Sequence, residues 1–231
     1  MKIFTIPNFI TLGNLLAGCV GIVYVSQNQL EFASICIFIA LILDFFDGFV
    51  ARILKSTSEI GKELDSLADV VSFGVLPAYL LFALANFKAL NFLGYFPFLL
   101  AAFSALRLAK FNVDLRQSDS FIGLPTPANA MIIATFPYLI LENGIAKDII
   151  VNTYFMIAYV VVFSFLLVSE IPLMALKFKD FTFKNNRVKY FLIVSSMILL
   201  VFLKLLAIPI IVIWYIVLSA IQNLSTLKKE G

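Results

Sequence analysis

Residues Leu43 to Gly74 read LDFFDGFVARILKSTSEIGKELDSLADVVSFG, and this stretch interrupts long apolar runs on either side of it. Its aspartates fall at Asp44, Asp47, Asp65 and Asp69. On a helix the first two are three residues apart and the last two four apart, so each pair shares a face. Gly48 and Ala51 fall on the face of Asp44 and leave room for a bulky group to approach the backbone. Between the pairs, Arg52, Lys55, Gly61 and Lys62 make a polar segment that can turn two helices back to back. Such a turn brings the four carboxylates together.

Four carboxylates in an apolar setting need compensation. One central Asp costs roughly 2.5–3.5 kcal/mol on membrane-insertion scales, so four cost roughly 10–14 kcal/mol, before their mutual repulsion is added. Divalent cations answer this directly, because hard ions take oxygen ligands and keep phosphate or water as further partners. Helix capping is the plain alternative. It suits Asp65 near a helix start, but not Asp44 and Asp47, which sit toward a helix C-terminus where the dipole disfavours anions.

The spacing D-x2-D-G-x2-A-R-x8-G-x3-D-x3-D is filled by Asp44, Asp47, Gly48, Ala51, Arg52, Gly61, Asp65 and Asp69. It resembles the signature of the CDP-alcohol phosphatidyltransferases, membrane enzymes that join a CDP-activated group to an alcohol and release CMP. A second resemblance lies downstream. LRLAKFN (Leu106–Asn112) followed by FIGLPTPANA (Phe121–Ala130) is similar to the phosphatidylserine synthase branch of that family. Together the resemblances cover about residues 5–130.

Outside this region the composition sets the class. Of 231 residues, 62% are hydrophobic and 13% charged, with mean hydropathy +1.03; soluble domains are nearer half apolar and a quarter charged. The expected fold is an all-α polytopic membrane protein, a single domain over 1–231. Its catalytic core covers about 5–175, and helices within 189–224 act as added scaffold. Eight apolar stretches approach bilayer length, near 9–27, 32–54, 63–85, 92–113, 126–143, 149–175, 189–206 and 208–224. A tight connection after Lys204 separates the last two, a kinked continuous helix being the alternative. The N-terminus runs into the first span with no cleavage site.

With eight spans, fourteen of the 17 Lys and Arg residues fall on one side and only Lys88, Lys147 and Lys204 on the other. The positive-inside rule then places both termini and the aspartates in the cytoplasm, at the cell membrane. The net charge of +3 is too small and too scattered for nucleic acid. Cys19 and Cys36 lie in apolar spans and are expected as two buried thiols without a disulfide. There is no histidine, so acid–base chemistry falls to carboxylates, Lys, Tyr or Cys.

The remaining candidates flank the aspartates. Pro7-Asn8 reads as a helix start with Asn8 as N-cap, or else Asn8 and Thr11 donate to a pyrophosphate at the helix N-terminus. Arg107, Lys110 and Arg116 are either cations snorkelling at the membrane edge or an anion-recognition set. Thr126 follows prolines that suit the first turn of a helix. Glu170, near the same face, is expected to pair with a cation.

The resemblance implies roles for these residues. Two Mg²⁺ or Mn²⁺ ions would be held by Asp44, Asp47 and Asp65, with Asp69 as the base for the acceptor hydroxyl and a possible fourth ligand. The CDP-lipid, CDP-diacylglycerol or CDP-archaeol, would meet Asn8, Thr11, Gly48, Ala51, Arg52, Gly61 and Lys62. L-Serine would meet Arg107, Lys110, Asn112, Arg116 and Thr126. Family members are commonly homodimers. A glycerol-phosphate or inositol-phosphate acceptor, or a divalent-cation transporter with intramembrane carboxylates, are the other readings.

Overall fold

The first helix packs through its smallest and most polar residues. In α1 (Ile6–Ser26) the buried positions are Pro7, Asn8, Thr11, Asn14, Gly18, Gly21 and Val25. Leu12, Leu16, Val20 and Val23 face outward. Large apolar groups outside and small or polar groups inside is the arrangement that a bilayer solvent selects. The chain is a multi-pass membrane protein. The computed structural model describes residues 3–85, 94–114, 121–142, 144–174, 182 and 186–230, with side chains undescribed at 121 and 224–230.

A turn with Asn28 in the left-handed region (φ 58°) reverses the chain into α2 (Leu30–Ile53). A second, through Lys55 (φ 49°), leads to α3 (Glu59–Asp69). Ser58 caps α3 by accepting from the Gly61 amide at 3.1 Å. The helix therefore starts four residues earlier than the apolar pattern suggests, and Asp65 lies in its body rather than at its cap. Likewise α1 is capped by Thr5, which accepts from the Asn8 amide at 3.4 Å, so Asn8 is not the cap.

From α3 the chain continues without a break into a π-helical stretch, Val70–Val75, and α4 (Leu76–Leu84). Pro77 explains the widened turn. It has no amide to give the carbonyl four residues back, and its ring crowds that carbonyl. Ser72, Phe73 and Gly74 of the π stretch are buried. The core continues through Leu76, Leu80, Leu100, Ile133, Met156 and Leu167.

The rest of the bundle is α5 (Leu99–Val113), α6 (Thr126–Glu142), α7 (Gly144–Ile150), α8 (Thr153–Val168), α9 (Arg187–Leu203) and α10 (Ala207–Glu230). α7 and α8 meet at 67°. A two-residue antiparallel ribbon pairs β1 (Phe121–Ile122) with β2 (Pro172–Leu173). It ties the loop before α6 to the segment after α8, and Gly123 (φ 76°) turns beneath it. A side chain at Gly123 would lie 2.7 Å from the Leu167 carbonyl.

All eight expected stretches are largely helical where described, but among the described residues five runs are long and apolar enough to cross a membrane, six with the bent α7–α8 pair. One of the five, Arg187–Asn223, doubles back at Lys204 (φ 48°). Trp214 Nε1 donates to Ser195 Oγ at 3.3 Å and Leu192 packs with Leu218, contacts impossible along one continuous helix. Cys36 is buried as expected, whereas Cys19 is exposed on the outer face of α1.

Close approach is the main demand of this core. A Cβ at Gly18 would lie 2.5 Å from Ser72 Oγ and 3.0 Å from Ser72 Cα. At Gly48 it would meet nothing within 4 Å. Gly18→Ala should cost about 1–3 kcal/mol by overpacking and lower the thermal unfolding midpoint in detergent, whereas Gly48→Ala should leave it unchanged. Equal midpoints for the two variants would remove the packing role given to Gly18.

Candidate active site

The aspartates meet where the C-terminal half of α2 approaches the body of α3. Ligand oxygens of Asp44, Asp47 and Asp65 lie within 4.8 Å of one another. Asp69, one turn deeper on α3, lies within electrostatic reach of all three. Residues from α1 hold two members of the group. Thr11 Oγ1 donates to Asp47 Oδ2 at 2.6 Å, and Asn14 Nδ2 donates to Asp69 Oδ1 at 3.2 Å.

The arrangement fits divalent cations. Among the described residues none of the four carboxylates has a Lys or Arg ion-pair partner. Asp65 Oδ1 is buried with no hydrogen-bond partner. Oxygen-only donors, several of them carboxylate, suit Mg²⁺ or Mn²⁺ rather than softer metals.

Beside the carboxylates opens a cavity of about 550 Å³. It is lined by Pro7, Asn8 and Thr11 of α1, by Asp47, Gly48 and Ala51 of α2, and by Ser56 to Glu59, Gly61, Lys62 and Asp65. Gly48 presents open space to it, which a Cβ would partly fill. Six residues expected to touch the nucleotide lipid therefore line one cavity: Asn8, Thr11, Gly48, Ala51, Gly61 and Lys62. Arg52 does not line it and is exposed. Lys62 Nζ also donates to the Asn112 carbonyl at 2.8 Å, and Asn112 Nδ2 donates to Ser66 Oγ at 2.9 Å. These two bonds fasten the end of α5 to α3.

On α5, Arg107 is buried against the ring of Phe111, 5.7 Å from its centroid, and its charge acts on Asp69. Arg107 Nε has no hydrogen-bond partner. Lys110 is placed differently: it pairs with Glu170 and donates to the Val168 carbonyl at 3.4 Å. The expectation that Glu170 pairs with a cation is met. Thr126 is fully buried at the start of α6, and its hydroxyl lacks a partner. Arg116 lies outside the described residues.

A sequence profile described as CDP-alcohol phosphatidyltransferase matches residues 4–166, which contain the four aspartates, the cavity lining and Arg107. The chain belongs to the CDP-alcohol phosphatidyltransferase family. It is a transferase, and the cation-transporter alternative falls. Curated relatives agree. The CDP-diacylglycerol–serine O-phosphatidyltransferase of Bacillus subtilis (strain 168) is 40% identical over 136 residues, 58% of this chain and 76% of that protein. Its namesake in Helicobacter pylori (strain ATCC 700392 / 26695) is 32% identical over 209 residues, 87% and 83% of the two chains. That of Methanocaldococcus jannaschii is 40% identical over 139 residues, 60% and 63%.

Sequence reasoning about this phosphatidyltransferase missed Asn14, Ser58 and Ser66. Asn14 had a signal: Asn8, Thr11 and Asn14 recur every third residue in an otherwise apolar helix, which marks one inward polar face. The serines carried none, since small hydroxyls are common in membrane helices.

The cluster generates a binding prediction. Asp44→Asn and Asp65→Asn should each weaken Mn²⁺ binding by about tenfold or more, roughly the value of one charge-assisted contact, read by electron paramagnetic resonance of free Mn²⁺. The folded fraction should be unchanged. Undiminished affinity in both variants would detach the cations from these carboxylates.

Proposed function

We propose that the chain transfers the phosphatidyl or archaetidyl group of a CDP-activated lipid to the hydroxyl of L-serine and releases CMP. The observation that carries this reading is the placement of Asp69. It stands behind the carboxylates that border the cavity and within electrostatic reach of Arg107, a buried cation with an unpartnered donor. A base and a carboxylate receptor within electrostatic reach of each other suit a hydroxy amino acid. The names of the curated relatives point the same way.

Two divalent ions, Mg²⁺ or Mn²⁺, held by Asp44, Asp47 and Asp65 with Asp69, supply charge neutralisation to the pyrophosphate when bound. The protein's own groups do the rest. Asn8, Gly48, Ala51, Gly61 and Lys62 seat the cytidine and phosphates in the cavity, while Thr11 fixes Asp47. Arg107 grips the serine carboxylate, with Asn112 and Thr126 as neighbouring polar groups. Asp69 takes the hydroxyl proton as the serine oxygen bonds to the lipid-side phosphorus and the bond to the CMP oxygen breaks. Nothing in the described structure engages Arg52 in this, and its exposure suits contact with lipid phosphates.

A phosphorylated acceptor is less well served. It calls for several cations around a phosphate, whereas Lys110 is committed to Glu170. The chain acts as one domain, with the catalytic core in 5–175 and the α9–α10 hairpin as scaffold, and works as a homodimer in the cell membrane. Both termini and the active site face the cytoplasm, where the nucleotide-activated donor and serine are found.

Purified protein given CDP-diacylglycerol, Mn²⁺ or Mg²⁺ and a panel of alcohols tests the reading through CMP release and product mass. Serine should be the preferred acceptor. Arg107→Ala should raise the serine KM about tenfold or more while leaving the CDP-lipid KM nearly intact, and Arg107→Lys should also be impaired because the fork is lost. Use of a phosphorylated alcohol in place of serine would sink the acceptor assignment. For orientation, a cysteine at position 55 should label only from the cytoplasm and one at position 147 only from outside. Labelling of both from one side would refute the topology.

A further inference from the structure

Serine brings three polar groups to the site, and the residues assigned so far receive two. Arg107 takes the carboxylate and Asp69 the hydroxyl proton; the ammonium has no receptor. Asn14 is completely buried in the middle of α1. Its Nδ2 donates to Asp69 Oδ1 at 3.2 Å. A carboxylate can only accept, so this bond fixes the amide with its nitrogen toward Asp69. The amide oxygen is then left over: Asn14 Oδ1 is buried and has no hydrogen-bond partner. Buried acceptors without donors are uncommon, and each asks for a missing group.

The segment carrying Asp69 runs between α1 and α5. On one flank Ser72 Oγ donates to the Asn14 carbonyl at 2.9 Å, and Gly18 leaves room for Ser72. On the other flank Gly74 lies against Ser104, where an added Cβ would come within 3.1 Å of the Ser104 Cβ. Arg107 is one turn along α5 from Ser104. An unpartnered acceptor on α1 and an unpartnered donor on α5 therefore flank the helix that presents Asp69. One needs a cationic or N–H donor and the other an anion. A zwitterion supplies both.

Resting on the serine reading above, we infer that Asn14 Oδ1 receives the ammonium of an amino-acid acceptor, opposite the carboxylate at Arg107. Asn14 is then a specificity-determining residue. It holds Asp69 with its nitrogen and selects α-amino acceptors with its oxygen. An alcohol that keeps the hydroxyl and carboxylate but lacks the ammonium leaves Oδ1 unpaired and is rejected.

The test compares L-serine with 3-hydroxypropionate, which lacks only the ammonium, using full-length protein in detergent micelles with CDP-diacylglycerol and Mn²⁺. The readout is the ratio of the two kcat/KM values within each variant, which does not depend on the folded fraction. The parent should prefer serine. Asn14→Ala should lower the ratio by about tenfold or more, the factor carried by a charge-assisted hydrogen bond. Arg107→Ala should lower both acceptors together and leave the ratio unchanged. If Asn14→Ala depresses both acceptors equally, Asn14 merely steadies Asp69 and the inference is overturned. Should that variant not turn over, thermal stabilisation by each acceptor replaces the rate. Loss of the extra protection by serine supports the assignment, and its retention overturns it. A parent that ignores serine for a phosphorylated alcohol overturns the acceptor reading itself, a result separable from an unchanged ratio.

Discussion

Carboxylates crowded at one end of an apolar bundle repel one another, and the architecture is arranged around keeping them together. α2 and α3 bring the aspartates face to face, but nothing in that pair alone resists their separation. α1 supplies the resistance. Thr11 and Asn14 reach Asp47 and Asp69, and they can do so because Gly18 and Gly21 let the helix sink against Ser72, Leu76 and Cys36. The small face of α1 is thus a condition for the polar bonds that steady the site. The same helix contributes Pro7, Asn8 and Thr11 to the cavity wall, so packing and the cavity lining are read from one stripe.

The aspartate cluster was legible because helical spacing alone puts each pair on a face, and the class was legible because apolar runs of bilayer length cannot be hidden. The Lys110–Glu170 pair was half legible, through the rule that a charge near an apolar boundary finds a partner. Other features were not. In lipid large apolar residues point outward as well as inward, so hydrophobicity does not mark the buried face. Cys19 and Cys36 look alike in sequence, yet one faces out and one in. Ser58 was hidden behind a polar turn in which several residues could cap. The π stretch depends on how Pro77 is accommodated against Phe73, a tertiary outcome. Asn14 was passed over because one amide in an apolar helix has a partner only once α3 is placed beside it.

Charge balance then constrains the acceptor. Four carboxylates would match the two proposed divalent cations in charge, which would leave the pyrophosphate of a nucleotide lipid to the remaining cations near the cavity, Lys62 foremost. On the Asp69 side the described cations are Arg107, free at Nε, and Lys110, held by Glu170. A phosphorylated alcohol would carry further negative charge into a region with one cation to answer it and an uncompensated amide oxygen facing it. A zwitterion adds no net charge and offers opposite ends to Arg107 and Asn14. Arginine suits this position because its charge survives burial where that of a lysine yields readily. The groups around Asp69 are therefore matched in sign to the acceptor proposed above, a small hydroxy amino acid.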